Sequence, residues 1–380
     1  MAMLRTFTRR VVIASHIAVV ILFLLACANG WLRPDHWWVV SLLGLFFPAL
    51  LAAVIFFLVF WLLYRRRWAL LSLAALLAGW QNIHAFLAFH PGAAFQASKP
   101  PHSLRVLTWN VRRWDEFSGK KKDNGLHRSK MMQVIAEQNA DVLCFQEFFE
   151  SHNPKEYARN IPYIQEQLHY PYYYFSQDYH RYDWMYETGV IIFSKYPITG
   201  TLRVKYSGTD SVRATESLIA ADINVSGQRV RVFTTHLQSV LFHSRDFRNI
   251  EIIRNVDDSV LQASRSIVKK LRRAYGFRSA QADLVRSQLD QSPYPVVICG
   301  DFNDIPNSYT YFHIRSGRQD AFLARGFGIG RTYKDLSPTL RIDYILADPS
   351  LEVLQCRRLV TPFSDHHPVI ADLRLGEQGQ

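Results

Sequence analysis

Between Val296 and Tyr311 the chain reads VVICGDFNDIPNSYTY. Four residues of strand character, Val296 to Cys299, stop at Gly300, and Asp301, Asn303 and Asp304 follow at once. Alternate residues of a strand face one side, so Asp301 and Asn303 bring a carboxylate and an amide to one place, and Gly300 lets the backbone turn there. A carboxylate can accept a proton and an amide can hold an oxygen atom. Taken alone, the stretch equally describes an Asx-rich turn after a core strand.

Four further polar clusters stand beside strand-like runs: Trp109-Asn110-Val111, Gln146-Glu147, Thr235-His236-Leu237-Gln238-Ser239, and Asp343-Tyr344 with Ser364-Asp365-His366-His367-Pro368. In this order they resemble the endonuclease/exonuclease/phosphatase superfamily, in which Asn, Glu, His, GDFN, Asp and SDH follow one another. The resemblance runs from about Leu104 to Leu373, and the ordered set is far more specific than any single member. His236 stands where abasic-site endonucleases of the superfamily tend to carry Tyr, so the chain is similar to the deoxyribonuclease, sphingomyelinase and inositol-phosphatase branches.

The resemblance implies a fold and roles. The fold is a four-layer α/β sandwich, two mixed sheets face to face with helices outside. Glu147, supported by Asn110 and joined by Asp365, implies a hard oxygen site for Mg²⁺ or Mn²⁺. Asp301 implies the group that orients or deprotonates water, and Asn303 a holder of a nonbridging oxygen. His366, fixed by Asp343, and His236 imply donors to the phosphoryl group or leaving oxygen. Glu187 falls where a partner of His236 is expected, and Arg278 and Gln281 resemble an Arg-x-x-Gln feature on the helix before the GDFN strand. His367 has no counterpart in the motif.

These positions require elements to hold them. Leu104–Val111, Ala140–Phe148, Glu187–Ile198, Leu218–Asn224, Arg229–His236, Arg341–Ala347 and Val369–Leu373 read as strands, the fourth and fifth joined by a turn at Ser226-Gly227. His127–Asn139 reads as an amphipathic helix, giving a strand–helix–strand opening typical of α/β folds. The Tyr-dense stretch Tyr170–Tyr186 reads as packing or a substrate rim. Leu241–Asp290 is a helical, basic insert, either a solvated helix face or a surface for anionic lipid or a polyphosphate backbone.

Charge separates the first third from the rest. Residues 1 to 99 carry eight Lys and Arg against the single acid Asp35, so they supply most of the net +12. A basic chain would ordinarily suggest nucleic acid, but here the excess lies among apolar runs and bears on membrane topology. Runs at about 11–28, 37–64 and 68–89 are long enough to cross a bilayer. A membrane anchor over 1–90, a proline-containing linker over 91–102 and a catalytic domain over 103–380 follow. Arg5, Arg9, Arg10 and Arg65 to Arg67 face the cytoplasm by the positive-inside pattern, which puts the catalytic domain outside a bacterial cytoplasmic membrane. Two other readings stand: a cleaved leader ending near Leu24–Cys27, and a re-entrant third segment that would leave the enzyme inside.

Four cysteines form no disulfide framework, and Cys144 and Cys299 fall in core strands. No Cys/His cluster has zinc spacing and no Gly-rich phosphate loop is present, which weakens zinc-hydrolase and kinase readings. The expected protein is a multi-pass, Mg²⁺- or Mn²⁺-dependent phosphoesterase that hydrolyses phosphodiesters by in-line attack of water, nuclease-like. The alternatives are a lipid-headgroup or inositol-phosphate phosphodiesterase or phosphatase, and a catalytically idle membrane scaffold. Its partners would be the lipid bilayer and a phosphodiester substrate, nucleic acid or phospholipid.

Overall fold

Two hydrophobic periods build two kinds of element here: long apolar stretches without alternation fold as helices in the first third, and short β-branched and aromatic runs pair as strands after it. A computed structural model describes residues 2–91, 95–116, 125–181, 183–206, 217–240, 250 and 260–376. The chain divides into a helical unit of Met1–Phe86, Val240–Ala282 and Ile305–His313 and a sheet unit of Leu87–Ser239, Asp283–Asp304 and Ile314–Gln380.

In the helical unit, α1 (Ala2–Cys27), α2 (Pro34–Leu45), α3 (Phe47–Tyr64), α4 (Arg66–Ala78) and α5 (Trp80–Phe86) follow in order. Two helices, Thr6–Gly30 and Phe47–Tyr64, are long and apolar enough to cross a membrane, or three if the bent pair α4–α5 forms one span. The expected continuous span over 37–64 is instead broken at Phe46, whose backbone is non-helical (φ −91°, ψ 1°). Pro48 accounts for the break, because its ring cannot follow a helical turn and suits a helix's first positions. The third apolar run bends by 62° between α4 and α5. At that bend a Cβ on Gly79 would come within 2.7 Å of the Phe23 ring, so the close approach of α1 needs a glycine.

The sheet unit has the expected architecture, two mixed six-stranded sheets flanked by helices. One is built from β2 (Ser103–Asn110), β3 (Val142–Ser151), β4 (Tyr172–His180), β5 (Tyr186–Ser194), β13 (Glu352–Arg358) and β14 (Val369–Arg374), in the order β13-β14-β2-β3-β5-β4. The other holds β6 (Ile198–Lys205), β7 (Ser217–Val225), β8 (Gln228–His236), β9 (Val296–Asp301), β10 (Gln319–Asp320) and β12 (Asp343–Ala347), in the order β10-β12-β9-β8-β7-β6. Strands β4, β6 and β13 go beyond the sequence reading. A short ribbon, β1 (Ala88–Phe89) with β11 (Phe327–Gly328), lies apart.

Each sheet has one parallel pair at its centre, β2 with β3 and β8 with β9, and antiparallel neighbours outside. Val106, Cys144 and Ile192 from one sheet meet Ile219, Val232, Val297 and Cys299 from the other in a single buried core. The four cysteines are unbridged and buried. On the outer face of the first sheet, Leu107, Trp109, Phe145 and Phe193 pack against Met131, Met132 and Ile135 of α6 (Leu126–Gln138) and Ile164 of α7 (Asn160–Glu166). The insert is described only in part: α8 (Val260–Asp290) is the expected helix, and the expectations for 241–249 and 251–259 lie outside the described residues.

Two buried ion pairs brace the sheets. Arg105 Nε and Nη2 reach Asp372 Oδ1 and Oδ2 at 2.7 and 2.8 Å. Arg341 Nη1 reaches Asp320 Oδ2 at 2.6 Å, and Asp320 Oδ1 also accepts from Phe322 N and Leu323 N, capping α9 (Ala321–Arg325). Both side chains of the Arg341–Asp320 pair are 1% exposed. Removing one partner strands a buried charge, so Asp320→Ala should lower the unfolding free energy by about 3–5 kcal/mol. Chemical denaturation of the full chain in detergent measures this, and a change under about 1 kcal/mol, the scale of an exposed pair, would refute the assignment.

Candidate active site

The site lies where the parallel strands of both sheets end. On one side His236, Asp301 and Asp343 stand abreast, because β8 and β9 pair with His236 opposite Asp301 and β9 and β12 pair with Asp343 opposite Asp301. Gly300 makes that register possible: its φ is +134°, and a Cβ there would collide with the carbonyl oxygen of Thr235 on the neighbouring strand. On the other side Asn110 ends β2. Glu147 sits in a β-bulge, since β3 pairs Phe145 with Ile191 and next Phe148 with Gly189. The bulge gives Glu147 a φ of +48° and re-aims its carboxylate, as bulges beside active sites do.

One oxygen is the focus. Asp301 Oδ2 accepts from Asn110 Nδ2 at 3.1 Å and lies 3.5 Å from His236 Nε2 and 3.7 Å from His366 Nε2. The same Asn110 nitrogen donates to Glu147 Oε1 at 3.2 Å, and Asn110 Oδ1 accepts from Arg112 N at 3.0 Å. His366 Nδ1 meets both oxygens of Asp343 at 2.9 and 3.1 Å. Asp343 is itself placed by Thr332, whose hydroxyl accepts from Ile342 N and Asp343 N. Ser364 Oγ donates to Asn110 O at 2.9 Å, tying the SDHH stretch to the end of β2. Asn303, also at positive φ (+52°), has its N–H on Asp301 Oδ1 and its side-chain amide on Leu237 O.

Burial and neighbouring charge set the protonation states. Burial would lower the His366 imidazole, but Asp343 and Asp301 outweigh it and push it up to about 10, so it is a cation at neutral pH. Burial raises the Asp301 carboxyl; Asp343 adds to the rise, and the two histidines and Asn110 oppose it. Burial also presses Glu147 upward, yet His236, Arg113 and the Asn110 hydrogen bond prevail and hold it below the usual glutamate range. For His367 burial and the neighbouring Arg358, Lys334 and Arg331 act together and lower it to about 4. His367 is therefore neutral, and its Nδ1 accepts from Thr361 N at 3.3 Å, a role in holding the loop.

Most expected site residues converge: Asn110, Glu147, His236, Asp301, Asn303, Asp343 and His366 are joined by the contacts above. Asp365 lies beside Ser364 and 3.6 Å from Arg112 Nε. Glu187 Oε1 pairs with His152 Nε2 at 3.2 Å, and among the described residues its Oε2 is buried with no hydrogen-bond partner. Arg278 and Gln281 are buried on α8 within the helical unit, where the Arg278 guanidinium lies 4.9 Å from the Tyr275 ring. Among the described residues, the acid and imidazole atoms crowded enough to hold a cation belong to Asp301, Asp343 and His366, within 4.8 Å of one another.

Several groups escaped the sequence reading. Arg112 to Asp115 form a run of four residues at positive φ, which carries Arg112 to Asp365 and Arg113 Nε to 3.6 Å from Glu147 Oε2. The adjacent Arg-Arg after Asn110 was the available signal. Tyr333 bridges His366, the rings 4.9 Å apart, and burial raises its phenol. Lys334 N donates to Asp365 O and its ammonium to Ser364 O. Nothing periodic marks that loop.

Residues 107–366 match the Endonuclease/Exonuclease/phosphatase family, and the chain belongs to it. That is a family of phosphoester hydrolases, typically dependent on divalent metal. Residues 9–86 match a Domain of unknown function (DUF8431). Among solved structures, an endonuclease/exonuclease/phosphatase from Beutenbergia cavernae shares the fold at 19% identity and a TM-score of 0.51, covering 72% of each chain. A family protein from Leptotrichia buccalis is 17% identical over 71% of this chain and 99% of its own, with a TM-score of 0.49. The human Nocturnin catalytic domain is 17% identical over 73% and 95%, also at 0.49. A comparison with curated protein sequences gives no match.

The Asp343–His366 contact yields a direct test. Without the Asp343 charge, burial should dominate, so Asp343→Asn should lower the His366 titration from about 10 by more than about one unit. Nuclear magnetic resonance of histidine-labelled, metal-stripped protein in detergent reads this, and an unmoved titration would show that Asp343 does not hold the imidazolium.

Proposed function

We propose that the chain is a divalent-metal-dependent phosphodiesterase with a nuclease-like site, carried on membrane-spanning helices. The observation that carries this reading is the convergence on Asp301 Oδ2, where an amide and two imidazoles from two strands and a loop surround one buried carboxylate oxygen. Such a cluster sets a proton-accepting carboxylate beside proton-donating imidazoles, which is what hydrolysis of a phosphodiester by water requires.

The donor chemistry fits a hard cation. Glu147 stays ionised and meets Asn110, and Asp365 stands beside the same strand end, so these three would hold Mg²⁺ or Mn²⁺. Asp301, Asp343 and His366 form the tighter group, but His366 Nδ1 lies at hydrogen-bond distance from Asp343, which favours an imidazolium between two carboxylates over a second metal ligand. When bound, the cation would act as a Lewis acid on the phosphoryl oxygens. Asp301, with its carboxyl raised by burial, orients the attacking water and takes its proton. His366, charged and fixed by Asp343, donates to the phosphoryl or leaving oxygen, and His236 supports it from the other side. The amide of Asn303 holds a nonbridging oxygen. Arg112, Arg113 and Lys334 add positive charge at the rim, which suits a polyanionic substrate.

The anchor part of the proposal has Thr6–Gly30, Phe47–Tyr64 and the bent pair crossing a bacterial cytoplasmic membrane, with Arg65 to Arg67 inside and the sheet unit outside. A reporter fused after Gln380 should be active only outside the cytoplasm. Substrate class is decided by incubating the full chain in detergent with plasmid DNA, RNA, sphingomyelin, phosphoinositides and bis(p-nitrophenyl) phosphate under Mg²⁺, Mn²⁺ or EDTA. Nicking of DNA that EDTA abolishes is the expected result; headgroup release without nicking would replace the nuclease reading, and no turnover of any substrate would overturn the enzyme reading. Glu147→Gln should raise the Mg²⁺ concentration for half-maximal hydrolysis by about 10-fold or more, the scale seen when metal-site partners are lost. An unchanged Mg²⁺ requirement would remove Glu147 from the cation site.

A further inference from the structure

The chain that carries Asp301 and Asn303 does not end in a free loop. Three residues past Asp304 it reaches Asn307, which is buried in the helical unit together with Asn29 and Asn82. Asn82 Nδ2 donates to Cys27 O at 3.0 Å and to Asn307 Oδ1. Asn307 Nδ2 donates to Ala26 O at 3.1 Å, and Asn29 Nδ2 donates to Asn307 O at 2.7 Å. Asn307 thus has its side-chain oxygen, side-chain nitrogen and backbone carbonyl all engaged, by residues from the end of the first candidate span and from α5. Gly44 of α2 closes the fourth side: a Cβ there would lie 2.8 Å from Asn307 O.

Amides buried among apolar helices have strong reason to stay paired, because a lost partner leaves a polar group without water to replace it. The clasp is therefore a firm attachment. The other end of the same short stretch is also fixed, since Tyr344 Oη donates to Asp304 O at 2.8 Å within the sheet unit. Only Ile305 and Pro306 separate the two attachments, at most about 11 Å of chain from Cα 304 to Cα 307, and a proline restricts one of the two residues. A shift at Asn307 therefore passes through only two residues, one of them a proline, before it reaches Asp304.

We infer that Asn29, Asn82 and Asn307 are positioning residues: the amide clasp in the anchor helices sets the conformation of the Asp301–Asp304 loop, so the anchor is part of the catalytic apparatus and not only a tether. The effect on turnover rests on the phosphodiesterase reading above; the effect on the loop does not. Asn303 is the sensitive point, because it is held at φ +52° by its bonds to Asp301 Oδ1 and Leu237 O. Left-handed backbone of that kind persists only where its surroundings enforce it.

The test uses the full chain in detergent or lipid nanodiscs, with three variants: Asn82→Leu, which deletes the amide at similar size, Gly44→Ala, which presses on Asn29 Nδ2 and Asn307 O without deleting a polar group, and Ser72→Ala as control. Ser72 Oγ makes a separate buried bond to His16 Nε2 at 2.8 Å in the same helices, so its loss weakens the anchor without touching the clasp. Asn82→Leu and Gly44→Ala should lower kcat on bis(p-nitrophenyl) phosphate by about 10-fold or more with KM little changed, as a misplaced catalytic group does, while Ser72→Ala keeps kcat. Hydrogen–deuterium exchange should show faster exchange in the peptide spanning 298–308 for the first two variants only. A normal kcat and unchanged exchange in both clasp variants, or equal losses in Ser72→Ala, would overturn the inference. If the parent chain hydrolyses nothing, the phosphodiesterase reading fails, and the exchange measurement alone decides the clasp: faster exchange in the clasp variants supports it and unchanged exchange refutes it.

Discussion

The hydrogen bond from Asn110 Nδ2 to Asp301 Oδ2 is the contact on which the site depends, because it crosses between the two sheets. Asn110 ends a strand of one sheet and Asp301 ends a strand of the other. Two sheets packed through aliphatic side chains could slide by a fraction of an ångström at little cost, since dispersion contacts are individually weak and without direction. A buried amide shared with Glu147 and Asp301 has direction, and it fixes the offset of the strand ends. Gln146 repeats the device one layer deeper, its amide reaching Thr108 Oγ1 within its sheet and Thr234 Oγ1 across the gap. Both are buried polar networks with their partners satisfied, the condition under which such networks rigidify a core.

The same constraint explains which parts of the site were legible. Asp301, Asn110, His236 and Asp343 each terminate or begin an apolar run, and a strand end is visible in sequence because the run stops. The position of Glu147 was visible but its geometry was not: no sequence signal announces the bulge that turns it, and the bulge comes from the pairing of β3 with β5. The contact of Glu187 with His152 was invisible for a related reason. Glu187 lies at the start of a strand opposite the β3 end, beside His152, and register across strands decides such pairs where spacing along the chain does not. Tyr333 and Lys334 come from a loop without period, and their place is set by pairing with the SDHH segment.

In the first third, composition revealed the apolar runs and their charge asymmetry, but length alone joined what backbone chemistry divides. The run over 37–64 contains enough apolar residues for one long span, yet Pro48 starts a new helix within it. Gly79 likewise allows a bend where the hydropathy is continuous. The asparagines at 29, 82 and 307 were invisible as a group, because each is an ordinary polar residue of its own segment and only folding collects them.

Charge in the sheet unit shows how a few buried groups can be set to opposite tasks. Asp301 and His366 share an environment, yet burial moves their protons in opposite senses relative to function: it makes the carboxylate a stronger base, and it would make the imidazole a weaker one were Asp343 not in contact with it. Asp343 therefore does more than orient a ring. With Asp301 it reverses the effect of burial on the imidazole and, through its negative charge, reinforces it on the carboxyl, so that a raised carboxyl and a charged imidazole stand 3.7 Å apart. This placement of charge requires that β9 and β12 keep their register, which Gly300 permits and Thr332 secures.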